Sequence, residues 1–105
     1  SGVHTEVNSW SCKKDVEKGI FGSQIDLLIV RDDQVINLCE MKYSGTTYTL
    51  KQEEDEKIRN RISDLATVTQ TKHAIFPTLI TTYGLAQNGY SSNIQSVVTL
   101  DDLFV

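Results

Sequence analysis

Proline, cysteine and positive charge are all scarce in this chain of 105 residues, and each scarcity excludes something. Two cysteines, Cys12 and Cys39, form no CxxC and have no matching Cys/His pair, so the spacing of a structural zinc site is missing. Cys39 lies inside an apolar run, where a free thiol behaves as a small buried hydrophobe. Both are expected to be reduced thiols in a cytoplasmic protein. No apolar run approaches the length of a membrane span, and no secretory signal is visible at the N-terminus. The first residue is Ser1 rather than Met, which suggests a processed or excised piece of a longer chain. Ten Lys and Arg stand against fourteen Asp and Glu, a net charge of -4, which argues against gripping nucleic acid by charge alone. There is no P-loop, so ATP hydrolysis by that route is excluded. No repeat, linker or low-complexity tract divides the chain. With 39% hydrophobic and 23% charged residues it has the composition of one small globular domain.

What is present is an alternation of β-like and helical segments. Residues 3–11 (VHTEVNSWS) alternate loosely and predict a strand, and residues 12–20 read as a loop. Residues 23–30 (SQIDLLIV) and 35–42 (VINLCEMK) are short apolar runs joined by the turn formers RDDQ, which predicts a β-hairpin. Both runs are apolar on both faces, so the sheet should be covered on both sides for much of its area. Residues 49–70 predict the one long helix. Thr49 and Gln52 have the form of a capping box, acids at 53–56 suit the helix N-terminus, and Ile58, Ile62 and Leu65 give an apolar stripe. Residues 73–81 and 94–100 predict two more strands, with residues 83–93 as the loop between them. Pro77, the only proline, predicts an edge position or a bulge. The tail DDLFV predicts a turn of helix docking Leu103 and Phe104. The fold class is therefore α/β, ordered strand, β-hairpin, helix, strand, strand, with a crossover at the helix. The helix covers one sheet face, and nothing in the chain is long enough to supply a second helix for the other.

The hairpin carries the chemistry. Glu40 and Lys42 are two apart on a strand and share a face. If Arg31 pairs with Val35 across a three-residue loop, Asp26 lies opposite Glu40 on that face. A slip of one residue sends Asp26 to the other side, and the sequence leaves the register open. In the first register two carboxylates and an ammonium converge at the end of an apolar face made by Leu28, Val30, Ile36 and Leu38. Two close carboxylates call for a cation, which Lys42 or a hard divalent metal could supply. A metal on Asp26 and Glu40 would activate water and neutralise phosphate charge, with Lys42 orienting that water. The competing reading is an ordinary solvated ion pair.

Asp26, a hairpin, Glu40-Met41-Lys42, a helix and a strand together resemble the PD-(D/E)XK nuclease superfamily, the restriction-endonuclease-like fold. Ile25-Asp26 stands where that family often has Pro-Asp. The longer stretches GSQIDLLIVRDDQVINLCEMKY, TLITTYGL and SVVTLDDLF resemble the C-terminal domain of a group of bacterial AAA-type ATPases, itself regarded as a nuclease-like module of that superfamily. The resemblance implies a domain of residues 1–105 that is the tail of a larger ATPase, with a mixed sheet and metal-dependent hydrolysis of DNA. It implies magnesium or manganese bound by Asp26, Glu40 and the backbone carbonyl of Met41, with Lys42 as the catalytic lysine. Lys57 and Arg61, four apart on the helix, are candidate phosphate contacts; the alternative is a solvated face paired with Glu53 or Asp55. The family's first helix would precede the strand at residues 3–11 and is expected to be absent from this sequence, and Glu6 is a poor substitute for the acid it often carries. A degenerate nuclease fold that binds DNA or protein is the second expectation, with the three residues reduced to an ion-pair network. The third is a homodimer, or packing on the rest of the ATPase chain, through the uncovered sheet face.

His4 and His73 share no ligand spacing and read as strand or surface residues. Trp10, Tyr43, Tyr48, Tyr83 and Tyr90 could stack on bases, but scattered aromatics are more often packing residues, and Trp10 is expected to cover a sheet edge.

Overall fold

The computed structural model describes residues 4–103. Its elements run β1 (Thr5–Cys12), β2 (Ser23–Arg31), β3 (Val35–Lys42), α1 (Gln52–Thr69), β4 (Ala74–Thr81), a 3-10 turn at Ser91–Asn93, β5 (Ser96–Thr99) and α2 (Leu100–Leu103). The five strands form one mixed sheet in the order β1-β2-β3-β4-β5. β1, β2 and β3 are antiparallel neighbours, whereas β4 and β5 join in parallel. A parallel neighbour requires a crossover, and α1 supplies it between β3 and β4. The α/β class and the strand–hairpin–helix–strand–strand order follow the sequence expectation.

The hairpin adopts the first of the two registers considered above. Leu27 pairs with Cys39, Leu28 with Leu38, Ile29 with Asn37 and Val30 with Ile36. The loop is Asp32, Asp33 and Gln34, and Gln34 takes the left-handed conformation at φ 72° that closes a three-residue hairpin. Arg31 Nε donates to Asp33 across this turn at 3.0 Å. The apolar face predicted beside the acids is the core: Ile25, Leu28, Ile36, Leu38 and Leu65 cluster, with Trp10, Val30, Ile62 and Ile75 packed on them. Trp10 thus lies on the edge strand and contacts the core, as expected. Cys12 and Cys39 are free, and Cys39 is buried.

Four local expectations need correction. The helix begins at Gln52, three residues later than the sequence suggested, because Lys51 is the N-cap and no side chain caps it. The Thr49–Gln52 capping box does not form. At the other end Gln70 takes a left-handed conformation at φ 54°, and its N–H bonds the Ala66 carbonyl at 3.0 Å, which closes the helix. Secondly, Pro77 sits on neither an edge strand nor a bulge, because β4 lies between β3 and β5. In a strand a residue's N and C=O point to the same side, and the Pro77 carbonyl accepts from Gln95 on the β5 side at 2.9 Å. β5 pairs only from Ser96 opposite Thr78, so the missing N–H falls just before that ladder begins and takes no bond from β3. Thirdly, the last strand is only Ser96–Thr99. Finally, the loop at 12–20 is tighter than expected: Cys12 belongs to β1, and Asp15 and Ile20 bridge across a turn with reciprocal bonds of 2.8 and 2.9 Å. A short helix does follow β5, but Phe104 lies outside the described residues.

Helix α1 covers one face of the sheet. On the other face, Val7 is 63% exposed and Met41 41% exposed. At the centre of that face Cys39 and Thr78 are buried, so the face is exposed at its margins rather than throughout.

Candidate functional site

Each strand of the hairpin contributes one motif, but they end up on different sides. Glu40 and Lys42 continue the helix-side row that Ile36 and Leu38 begin. Asp26 would continue the same row if β2 alternated regularly. It does not: opposite β1 the pairing steps from Asn8↔Leu28 to Trp10↔Ile25, so Asp26 and Leu27 together face one residue of β1. This bulge resets the alternation. Ile25, 1% exposed, enters the core beside Leu28 in the place that regular alternation would give Asp26. Asp26 is exposed and makes no hydrogen bond or ion pair among the described residues.

Glu40 and Lys42 meet α1 instead. A cavity of about 120 Å³ is lined by Glu40, Lys42, Glu54, Lys57, Ile58 and Arg61. The Arg61 guanidinium donates to the Glu40 carboxylate, and Lys42 Nζ lies 3.4 Å from Glu54 Oε2. The Tyr48 hydroxyl also donates to Glu54. Burial alone would raise the Glu54 pKa, but the Tyr48 hydrogen bond and the Lys42 ammonium outweigh it and hold the carboxyl below its usual range. Burial and the same carboxylate push the Tyr48 phenol well above its ordinary value. Behind Glu40, burial and the Glu40 charge raise the Cys39 thiol to about 11. Cys39 is therefore a neutral packing residue, not a nucleophile.

Lys57 and Arg61 also line a second cavity of about 390 Å³, with Phe21, Gly22, Ser23, Gln24 and Asn60. The two cations thus stand between two adjoining hollows. The expected alternative, pairing with Glu53 or Asp55, is not what forms. Arg61 pairs with Glu40, Asp55 is 2.9 Å from Arg59, and Lys57 has no ion-pair partner among the described residues.

The sequence reading missed Glu54, Tyr48 and Asp64. Glu54, Lys57, Arg61 and Asp64 recur at intervals of three and four, the spacing of one helical stripe. Following that stripe past the apolar residues would have found both acids. Asp64 is wholly buried, and its carboxylate accepts from the Phe21 N–H at 2.8 Å, the Ser23 hydroxyl at 2.5 Å and the Cys12 thiol at 3.7 Å. It ties the loop before β2 to the helix. His4 and His73, far apart in sequence, line one cavity of about 410 Å³ with Glu6 and Asp32.

The family resemblance implies magnesium or manganese. Such a cation needs several oxygen ligands converging on one point. Here Glu40 is engaged by Arg61, Asp26 has left the shared row, and no group of three or more His, Cys, Asp or Glu side chains placed to hold a metal occurs among the described residues. The side chains as arranged do not fit that metal.

A scan of family models and searches of curated proteins and of solved structures found no match to this chain. No helix among the described residues is long and apolar enough to cross a membrane.

Proposed function

We propose that this domain is a catalytically degenerate, nuclease-like module that binds the phosphate backbone of nucleic acid. The observation that carries this reading is the convergence of Lys42, Lys57 and Arg61 on one small cavity whose two acids, Glu40 and Glu54, are already held in ion pairs. Three cations against two acids make the cavity locally positive on a chain of net charge -4. A phosphate oxygen can compete with Glu40 for Arg61, since guanidinium groups accept carboxylate or phosphate in the same geometry. Lys57 supplies a further cation that no ion pair neutralises. The E-x-K spacing is then used as a charge frame: Glu40 orients Arg61, and Lys42 is held by Glu54. The resemblance to the restriction-endonuclease-like fold and to the tail of a bacterial AAA-type ATPase supports DNA as the polyanion.

One observation favours a second reading, metal-dependent DNA hydrolysis through Asp26, Glu40 and Lys42. The hairpin register ends at Leu27↔Cys39, so Asp26 and Glu40 are the next residues of the two strands. Rotation at the bulge would be needed to return Asp26 to the Glu40 side.

Calorimetric titration with manganese and magnesium separates the two. The binding-module reading expects no site of useful affinity in the wild type. It also expects Lys57→Ala and Arg61→Ala to weaken DNA binding and to flatten its salt dependence. Metal binding abolished by both Asp26→Ala and Glu40→Ala would replace this reading with the nuclease one.

A further inference from the structure

Phe21 is a large apolar side chain left 55% exposed on a backbone that is unusually well fixed. Its own N–H is held by the buried carboxylate of Asp64, and the Ser23 hydroxyl is held by the same group. Between them Gly22 has φ 95°, and a Cβ there would stand 3.1 Å from the Lys14 backbone nitrogen. That contact is tight, and the positive φ strains any residue that carries a Cβ. A buried acid and a constrained glycine thus hold the backbone that carries an aromatic ring outside the core.

Phe21 borders two hollows, an apolar one of about 280 Å³ with Lys14, Val16, Gly19 and Ile20, and a mixed one whose lining has the chemistry to take a base. The mixed hollow, of about 390 Å³, falls within the range of small-ligand pockets. Its lining divides by chemistry. Phe21 offers a flat apolar face, Gln24 and Asn60 offer amide donors and acceptors, and Lys57 and Arg61 offer positive charge. Lys57 and Arg61 also line the hollow that holds Glu40 and Lys42. A phosphate at these two cations would therefore be flanked by the Phe21 hollow on one side and the Lys42 hollow on the other.

We infer that Phe21 is a stacking platform for an unpaired nucleobase, and that the domain's ligand is single-stranded nucleic acid rather than intact duplex. The inference rests on the phosphate-binding reading above and names its substrate class. Stacking needs a base out of the helix, which duplex does not offer without unpairing. It is also tolerant of sequence, because every base has a π-face. The amides of Gln24 and Asn60 would add a modest base preference by bonding base edges.

The test is fluorescence anisotropy with a labelled oligothymidylate of about ten nucleotides, a blunt duplex of the same length and an abasic oligonucleotide. Wild type, Phe21→Ala, Phe21→Tyr and the Lys57→Ala/Arg61→Ala pair are compared. The inference expects single strand to bind more tightly than duplex. It expects Phe21→Ala to lose about tenfold on the base-bearing strand and nothing on the abasic one, and Phe21→Tyr to restore the loss. Thermal melts of Phe21→Ala and wild type should coincide, since the anchoring N–H is retained. Binding that depends on Lys57 and Arg61 but is indifferent to Phe21, or equal on abasic and base-bearing strands, overturns the stacking site and leaves the phosphate reading standing. No binding of wild type to any of the three oligonucleotides overturns both.

Discussion

At the scale of single residues, the contrast between Asp26 and Asp64 decides how the site is built. Asp26 carries the motif, yet it is exposed and unpartnered among the described residues. Asp64 belongs to no motif, yet it is fully buried and accepts three hydrogen bonds from the segment 12–23. A buried carboxylate with no cation against it is tolerated only because those donors replace water. Asp64→Ala leaves the part-buried Phe21 N–H and Ser23 hydroxyl without that acceptor, and it should cost about 2 kcal/mol. Asp64→Asn keeps one acceptor oxygen and should cost less. Urea denaturation of the two variants beside Asp26→Ala checks this: Asp26→Ala should lie within about 0.5 kcal/mol of wild type. Equal losses for Asp26→Ala and Asp64→Ala would mean that Asp26 carries contacts of its own.

At the scale of elements, the start of α1 is the weak point. Its first turn carries Glu53, Glu54 and Asp55, which suit the helix dipole, but the N-cap is Lys51, with extended φ and ψ and no side-chain acceptor. Extended backbone at the N-cap is the geometry that Ser or Asp uses to bond the first free N–H groups. Lys51→Ser should therefore raise stability by about 1 kcal/mol, whereas Thr49→Ala should change it little. A melting series would show the opposite order if Thr49 were the true cap. The same element positions the site: α1 brings Glu54, Lys57 and Arg61 over the ends of β2 and β3, and any shift of its first turn moves all three.

At the scale of the whole molecule, the polar clamp under the site should be visible in the dependence of stability on pH. Glu54 has a lowered folded pKa. Its contribution is complete above the ordinary value of 4.5 and is lost as pH falls through the folded value. Tyr48 and Cys39 have raised folded values. Their contributions are complete below the ordinary values of 10.0 and 9.0 and are lost as pH rises, for Cys39 up to about 11. Stability should thus be flat through neutral pH and fall at both ends. Tyr48→Phe should make both falls shallower, because it removes the phenol and one of the groups that hold the Glu54 carboxyl low, leaving Lys42. Urea midpoints measured from pH 3.5 to 11 give the test, and parallel curves for wild type and variant would refute the clamp.

Much of this fold was legible because local pattern and tertiary structure agree. The two short apolar runs in residues 23–42, the turn formers between them and the stripe Ile58, Ile62 and Leu65 each encode an element locally. The two-residue spacing of Glu40 and Lys42 fixed them on one face, since strand side chains alternate whatever surrounds them. What only the tertiary structure decided involves pairs distant in sequence. The bulge at Asp26 and Leu27 is defined against β1, so no pattern within β2 could announce it, and it alone turns Asp26 out of the row. The choice of Glu40 over Glu53 or Asp55 by Arg61 depends on where α1 lies across β3. The place of Pro77 between two strands depends on where β5 starts pairing. The sequence by itself determined the elements and the identity of the charges; packing decided which charges meet, because it sets the distances over which they act.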